Sequence, residues 1–131
     1  MAVQKIEVDA DSIVGEVGRL TAQDLDALPF GAIQLELDGK VVLYNQAEER
    51  ISGRKRSDVI GRNFFNEIAP CTRVRRFFGA FQTGVERKVL NEVFDFTFRF
   101  PQGTREVRIR MIYAENPRAC VWLFVTPIGM G

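Results

Sequence analysis

Histidine is absent from the 131-residue chain. The commonest general base and the commonest metal ligand go with it, which removes most hydrolase and zinc-site chemistries. Cysteine occurs only as Cys71 and Cys120. Two such thiols need not pair, and the cytoplasm, the expected location, would keep both reduced. No apolar run approaches the roughly 20 residues that cross a bilayer, and the chain opens without the continuous apolar stretch of a secretory leader. Neither sign of charge dominates: 18 basic residues against 17 acidic ones leave a formal net charge of +1. A generic nucleic-acid binder would show a strongly basic face, so neither nucleic acid nor membrane is expected as a partner.

What is present suits one compact domain. Apolar residues make up 46% of the chain, enough for a real core. Charge is unevenly placed. Residues 1–26 carry Glu7, Asp9, Asp11, Glu16, Asp24 and Asp26 against Lys5 and Arg19, a net of −4, whereas residues 50–76 reach +6 with eight cations against Asp58 and Glu67. An acidic leading segment is thereby offered a basic surface on which to dock.

Two periodicities divide the chain. Ile33, Leu35 and Leu37 alternate with Gln34 and Glu36, Asp38-Gly39 supplies a turn, and extended structure resumes from Lys40 to Tyr44, predicting a hairpin. Phe94, Phe96, Phe98 and Phe100 alternate with Asp95, Thr97 and Arg99. Pro101-Gln102-Gly103 ends that row, and Val107, Ile109 and Met111 begin another. A last apolar run, Val121 to Val125, follows the Asn116-Pro117 turn. Between the strand groups the period lengthens: Val74, Phe77, Phe78, Phe81 and Val85 predict one amphipathic helix, with Thr72 as its N-cap. Ser57 to Gly61 predicts a helical turn closed by glycine, and Asp11 to Leu20 a modest N-terminal helix. Two strands, several short helices and three strands make an α+β domain, a five-stranded antiparallel sheet with helices over one face. The phenylalanine row would line the inside of that face.

Three polar positions stand out. Tyr44 ends a strand and Glu48 follows four residues later, a spacing that can bring both side chains to one cavity. Cys71 follows Ala69-Pro70, where proline keeps Ala69 out of the helical region and stiffens the approach. If Thr72 caps the next helix, Cys71 lies beside its positive end, near Arg73, Arg75 and Arg76, all of which favour a reactive thiolate. Cys120, beside the apolar run 121–125 and without converging polar groups, reads as an inert buried thiol. A thiol enzyme built on Cys71 and Glu48 would lack its histidine base.

The segments Phe30-Gly31-Ala32-Ile33-Gln34-Leu35, Tyr44-Asn45-Gln46-Ala47-Glu48, Ile51-Ser52-Gly53-Arg54, Val59-Ile60-Gly61-Arg62-Asn63-Phe64-Phe65 and Ala69-Pro70-Cys71-Thr72 resemble, in order, those of the photoactive yellow proteins. These are bacterial blue-light receptors of the PAS fold. The resemblance runs from about Leu25 to Val125 without long gaps. It implies an N-terminal cap over residues 1–26, a PAS photosensory domain over 27–126 and a tail at 127–131. It also implies a cofactor, 4-hydroxycinnamic acid (p-coumaric acid), joined covalently as a thioester to Cys71.

In that resemblance the ring oxygen is an anion held by the Tyr44 hydroxyl and a protonated Glu48. Ser52 supports Tyr44, Arg54 covers the pocket, and the backbone N–H of Cys71 holds the thioester carbonyl. Phe64, Ala69, Phe98, Phe100 and Gln102 complete the lining. Phe100 and Gln102 depart from the tyrosine and methionine of the best-known members, which bears on colour and dark recovery rather than on attachment. The implied function is light sensing without enzymatic activity: isomerisation, proton transfer from Glu48 and N-terminal loosening, relayed to a downstream signalling protein. The alternative is a chromophore-free PAS module that binds a partner or a small ligand.

Overall fold

The computed structural model describes residues 20–100, 103–115 and 118–128. The strands are β1 (Gly31–Leu35), β2 (Val41–Tyr44), β3 (Asn91–Phe100), β4 (Gly103–Ala114) and β5 (Cys120–Pro127). They form one antiparallel sheet in the order β2-β1-β5-β4-β3. The central strand β5 is buried from Cys120 to Val125 without alternation, as expected where both faces are covered.

Alternation along the strands sorts the apolar residues into two cores. Ile33, Leu35, Val107, Ile109, Met111, Val121, Leu123 and Val125 face one way, together with Phe94 and Phe98, while Phe96 and Phe100 pack partly buried against the same core. The helices cover this face. The opposite face carries Ala32, Ile112, Cys120, Trp122 and Phe124 beneath Leu25 and Phe30. A short helix, α1 (Ala22–Asp26), brings Leu25 there. The expected PAS architecture, a five-stranded antiparallel sheet with short helices over one face, therefore holds; of the expected cap over residues 1–26, only 20–26 are among the described residues.

Helix α1 forms because Thr21 and Asp24 make a reciprocal cap. The Asp24 backbone N–H donates to Thr21 Oγ1 at 3.1 Å, and the Thr21 N–H donates to the Asp24 carboxylate at 2.9 Å. The expected helix over Asp11–Leu20 lies, apart from Leu20, outside the described residues, as do the Pro101-Gln102 break, the Asn116-Pro117 turn and residues 129–131.

Three expectations need correction. Leu37 does not share the core face of Ile33 and Leu35: β1 ends at Leu35 after a register irregularity, and Leu37 is exposed in the turn. The helix expected from Val74 is a π-helical turn, Arg75–Gly79, running into α4 (Ala80–Arg87), with Val74 extended and exposed before it. Phe77 and Phe81 keep the buried face because a spacing of four suits both forms. Thr72 does not cap that helix. Its hydroxyl donates to the Ala69 carbonyl at 2.6 Å, closing a 3-10 turn over Pro70–Thr72. The expected turn near Ser57 is α3 (Arg56–Val59), followed by Ile60 and a left-handed Gly61.

Candidate chromophore site

Residue 45 organises the site. Asn45 caps α2 (Gln46–Ser52), its Oδ1 accepting from the Glu48 N–H at 3.0 Å. The same Oδ1 accepts from the Ala32 N–H at 2.8 Å, and Nδ2 donates to the carbonyls of Leu25 at 2.7 Å and Phe30 at 3.1 Å. One buried amide thus ties α2 to β1 and to the cap. Gly53 ends α2 in the left-handed conformation, with φ 76°, where a side chain would be strained.

Helical spacing then puts Glu48 and Ser52 on one buried face. The Tyr44 hydroxyl, reaching from the end of β2, donates to Ser52 Oγ at 2.7 Å, and the Arg54 N–H donates to the same Oγ at 3.1 Å. Both Tyr44 and Glu48 are only 2% exposed. Among the described residues, Glu48 Oε1 has no hydrogen-bond partner, and neither has the buried Nε of Arg54. Burial pushes the Glu48 carboxyl from its ordinary 4.5 up to about 8, the neighbouring Tyr44 hydroxyl pulling the other way. Burial also raises the Tyr44 hydroxyl, with the Glu48 charge adding to it. Buried, low-dielectric surroundings disfavour both charged forms, so at neutral pH the acid holds its proton.

Cys71 lies in the 3-10 turn Pro70–Thr72. The Thr72 N–H and hydroxyl both donate to the Ala69 carbonyl, at 2.9 and 2.6 Å, so the turn that carries Cys71 is fixed twice. Ala69 has φ −137° and ψ 69°, outside the helical region as expected before proline. The half-buried thiol packs on the core that contains Tyr44, Phe64, Ala69 and Phe98. Phe64 and Phe98 meet edge to face at 6.4 Å between ring centroids, and Phe98 and Phe100 lie nearly parallel at 5.4 Å. Of the expected lining, only Gln102 lies outside the described residues.

Cys120 is buried as expected, but a polar group does converge on it. It is buried on the opposite face, accepts from Gln34 Nε2 at 3.2 Å, and burial raises its thiol. A surface groove of about 600 Å³ between α4 and β3, lined by Arg75, Thr83, Arg87 and Val89, contains none of the residues above. The expected docking of the acidic segment on basic residues is visible at one point. Asp26 pairs with Arg56 at 3.1 Å and accepts from the Gln46 N–H at 2.9 Å, while Glu49 Oε2 accepts from the Arg56 N–H at 2.7 Å. Missing from the expected set were Asn45, legible as an N-cap before an acidic first turn, and Gly31, for which spacing carries no signal.

The PAS fold family matches residues 21–128. A photoactive yellow protein of Halochromatium salexigens is 39% identical over 120 residues, covering 92% of this chain and 95% of that protein. One from Cereibacter sphaeroides is 42% identical over 103 residues, 79% of this chain and 82% of its own. The crystal structure of the photoactive yellow protein domain of the sensor histidine kinase Ppr from Rhodospirillum centenum superposes with a TM-score of 0.80 at 43% identity, covering 86% of this chain and 98% of that one.

Proposed function

The chain belongs to the photoactive yellow protein family of the PAS fold, and from that premise we propose that it is a blue-light photoreceptor carrying a p-coumaroyl thioester on Cys71. The observation that carries this reading is the buried Glu48 carboxyl, neutral at pH 7, with Oε1 unpartnered beside Tyr44. A buried polar atom without a partner is costly and rare in a protein interior, and an anionic acceptor in the pocket would satisfy it. The orphaned Nε of Arg54 fits the same interpretation.

When bound, the p-coumaroyl group supplies a visible absorption band, a double bond that isomerises in light and a phenolic oxygen that readily ionises. The protein's own groups do the rest. Ser52 Oγ accepts from the Arg54 N–H and lies 2.7 Å from Tyr44 Oη, so it holds the phenol in position. With the pigment bound, Tyr44 would turn its hydroxyl hydrogen from Ser52 to the anion. Glu48, protonated, donates from its carboxyl to the same anion, and such charge-assisted bonds are short and strong. Phe64, Phe98 and Phe100 exclude water and keep the local dielectric low.

In light, Glu48 would give its carboxyl proton to the phenolate oxygen it hydrogen-bonds, neutralising that oxygen and leaving a carboxylate in buried surroundings that disfavour charge. An ion left buried without a counter-charge is expensive. The structure relieves it most readily where Asn45 joins α2 to the cap, loosening residues up to about 26. Amide exchange at Leu25 should accordingly quicken under illumination. The Rhodospirillum centenum relative is a domain of a sensor histidine kinase, so a cytoplasmic kinase is the first downstream partner to test.

Infrared difference spectra of the reconstituted protein test the proton step. Illumination should remove a protonated-carboxyl band, and Glu48→Gln should keep the colour but lack that signal. A native spectrum with no carboxyl band lost would overturn the step.

A further inference from the structure

Gly31 lies buried in β1, paired with Val125, and its φ is not among the positive values found at Gly39, Gly53, Gly61 and Gly103. Nothing in its backbone conformation calls for glycine, and an interior strand glycine weakens a sheet unless something must approach closely. What approaches is Glu48. A Cβ placed on Gly31 would overlap Glu48 Oε1 and come within 3.2 Å of Cδ and 3.3 Å of Cβ of the same side chain.

We infer that Gly31 is the positioning residue for Glu48: the notch left by its missing side chain seats the carboxyl and fixes which acceptor the acid can serve. The Glu48 main chain cannot retreat, because its N–H is held by Asn45 at 3.0 Å and α2 packs directly on β1. Relief of a methyl group at position 31 must therefore come from rotation of the acid about its side-chain bonds. That moves Oε1 out of the notch. The inference rests on the function proposed above only in taking Glu48 as the proton donor; the notch itself is a property of the chain.

The test uses chromophore-free protein. Carboxyl carbon resonances of glutamate, followed against pH, should place Glu48 in Gly31→Ala at least about one pH unit below the native protein, roughly a tenfold change in its ionisation constant. Tyr44 from β2 is the titratable group that acts directly on Glu48, with Arg54 and Glu49 acting through Tyr44. Tyr44→Phe with Gly31 intact shows what losing that partner alone would do.

A merely structural role is separated by a cycle with Glu48→Ala. Gly31→Ala should lower the denaturation midpoint in the native background and leave it unchanged or raised once the carboxyl is gone. Should Gly31→Ala fail to fold alone, the double variant still decides: folding supports the notch, and failure overturns it. Equal losses in both backgrounds, or an unshifted Glu48 titration, would also overturn it. Neither readout involves Cys71 or its pigment. A protein that never acquires colour thus leaves this inference standing, and an unshifted titration leaves the photoreceptor proposal standing.

Discussion

Glu48 ties the stability of the chromophore-free fold to pH. Its carboxyl titrates near 8 in the folded chain against an ordinary 4.5. Between those values the folded state keeps a proton that the unfolded chain has released. Stability from the neutral acid is therefore full below the ordinary carboxylate range and falls as pH rises through about 8. The slope for one such group is about 1.4 kcal/mol per pH unit. Denaturant unfolding across pH 5 to 8 should show this decline, and Glu48→Gln should flatten it; equal slopes in both proteins would count against a neutral acid. That Tyr44 and Glu48 are buried near each other was legible from their spacing, and Ser52 came through the family resemblance. Gly31 was not, because nothing in a linear sequence says which strand residue a helix side chain will rest upon.

At the scale of elements, two of the devices that hold α2 to the cap differ in strength. Asn45 is buried and uses its side chain in four hydrogen bonds, to Ala32, Glu48, Leu25 and Phe30. Arg56, paired with Asp26 and Glu49, is 39% exposed. Losing the amide strands several buried groups, each costing about 1–3 kcal/mol, whereas a partly exposed ion pair contributes about 1 kcal/mol or less. Asn45→Ala should thus lower the unfolding free energy by about 2 kcal/mol or more, and Arg56→Ala by less than half of that. A reversed order would show that charge, not the buried amide, secures the cap. The hairpin, the aromatic strand and the turn near Ser57 could be read from local pattern. Helix α1 was missed because five residues show no periodicity, although Thr21 and Asp24 spell a capping pair. The π-helical turn at Arg75–Gly79 was missed because Phe77 and Phe81 bury the same face in either helical form.

For the whole molecule, the order of strands and helices was readable, and so was the α+β class. The sheet order was not. It depends on β1 pairing with β5, Gly31 opposite Val125, across a separation that local patterns cannot register. That pairing makes one continuous sheet with the helical layer on one face and α1 on the other. Asn45 joins the two through the edge of β1, which gives a local loss of charge balance at Glu48 a short route to the N-terminal segment. The arrangement has value for sensing only if a pigment occupies the first face. Mass spectra and visible absorption of the chain, incubated with activated p-coumaric acid, measure this directly. The account predicts one p-coumaroyl adduct on Cys71 and a band that bleaches in blue light and returns in darkness, both abolished by Cys71→Ala. An unmodified mass, or an adduct and band that persist in Cys71→Ala, would contradict it.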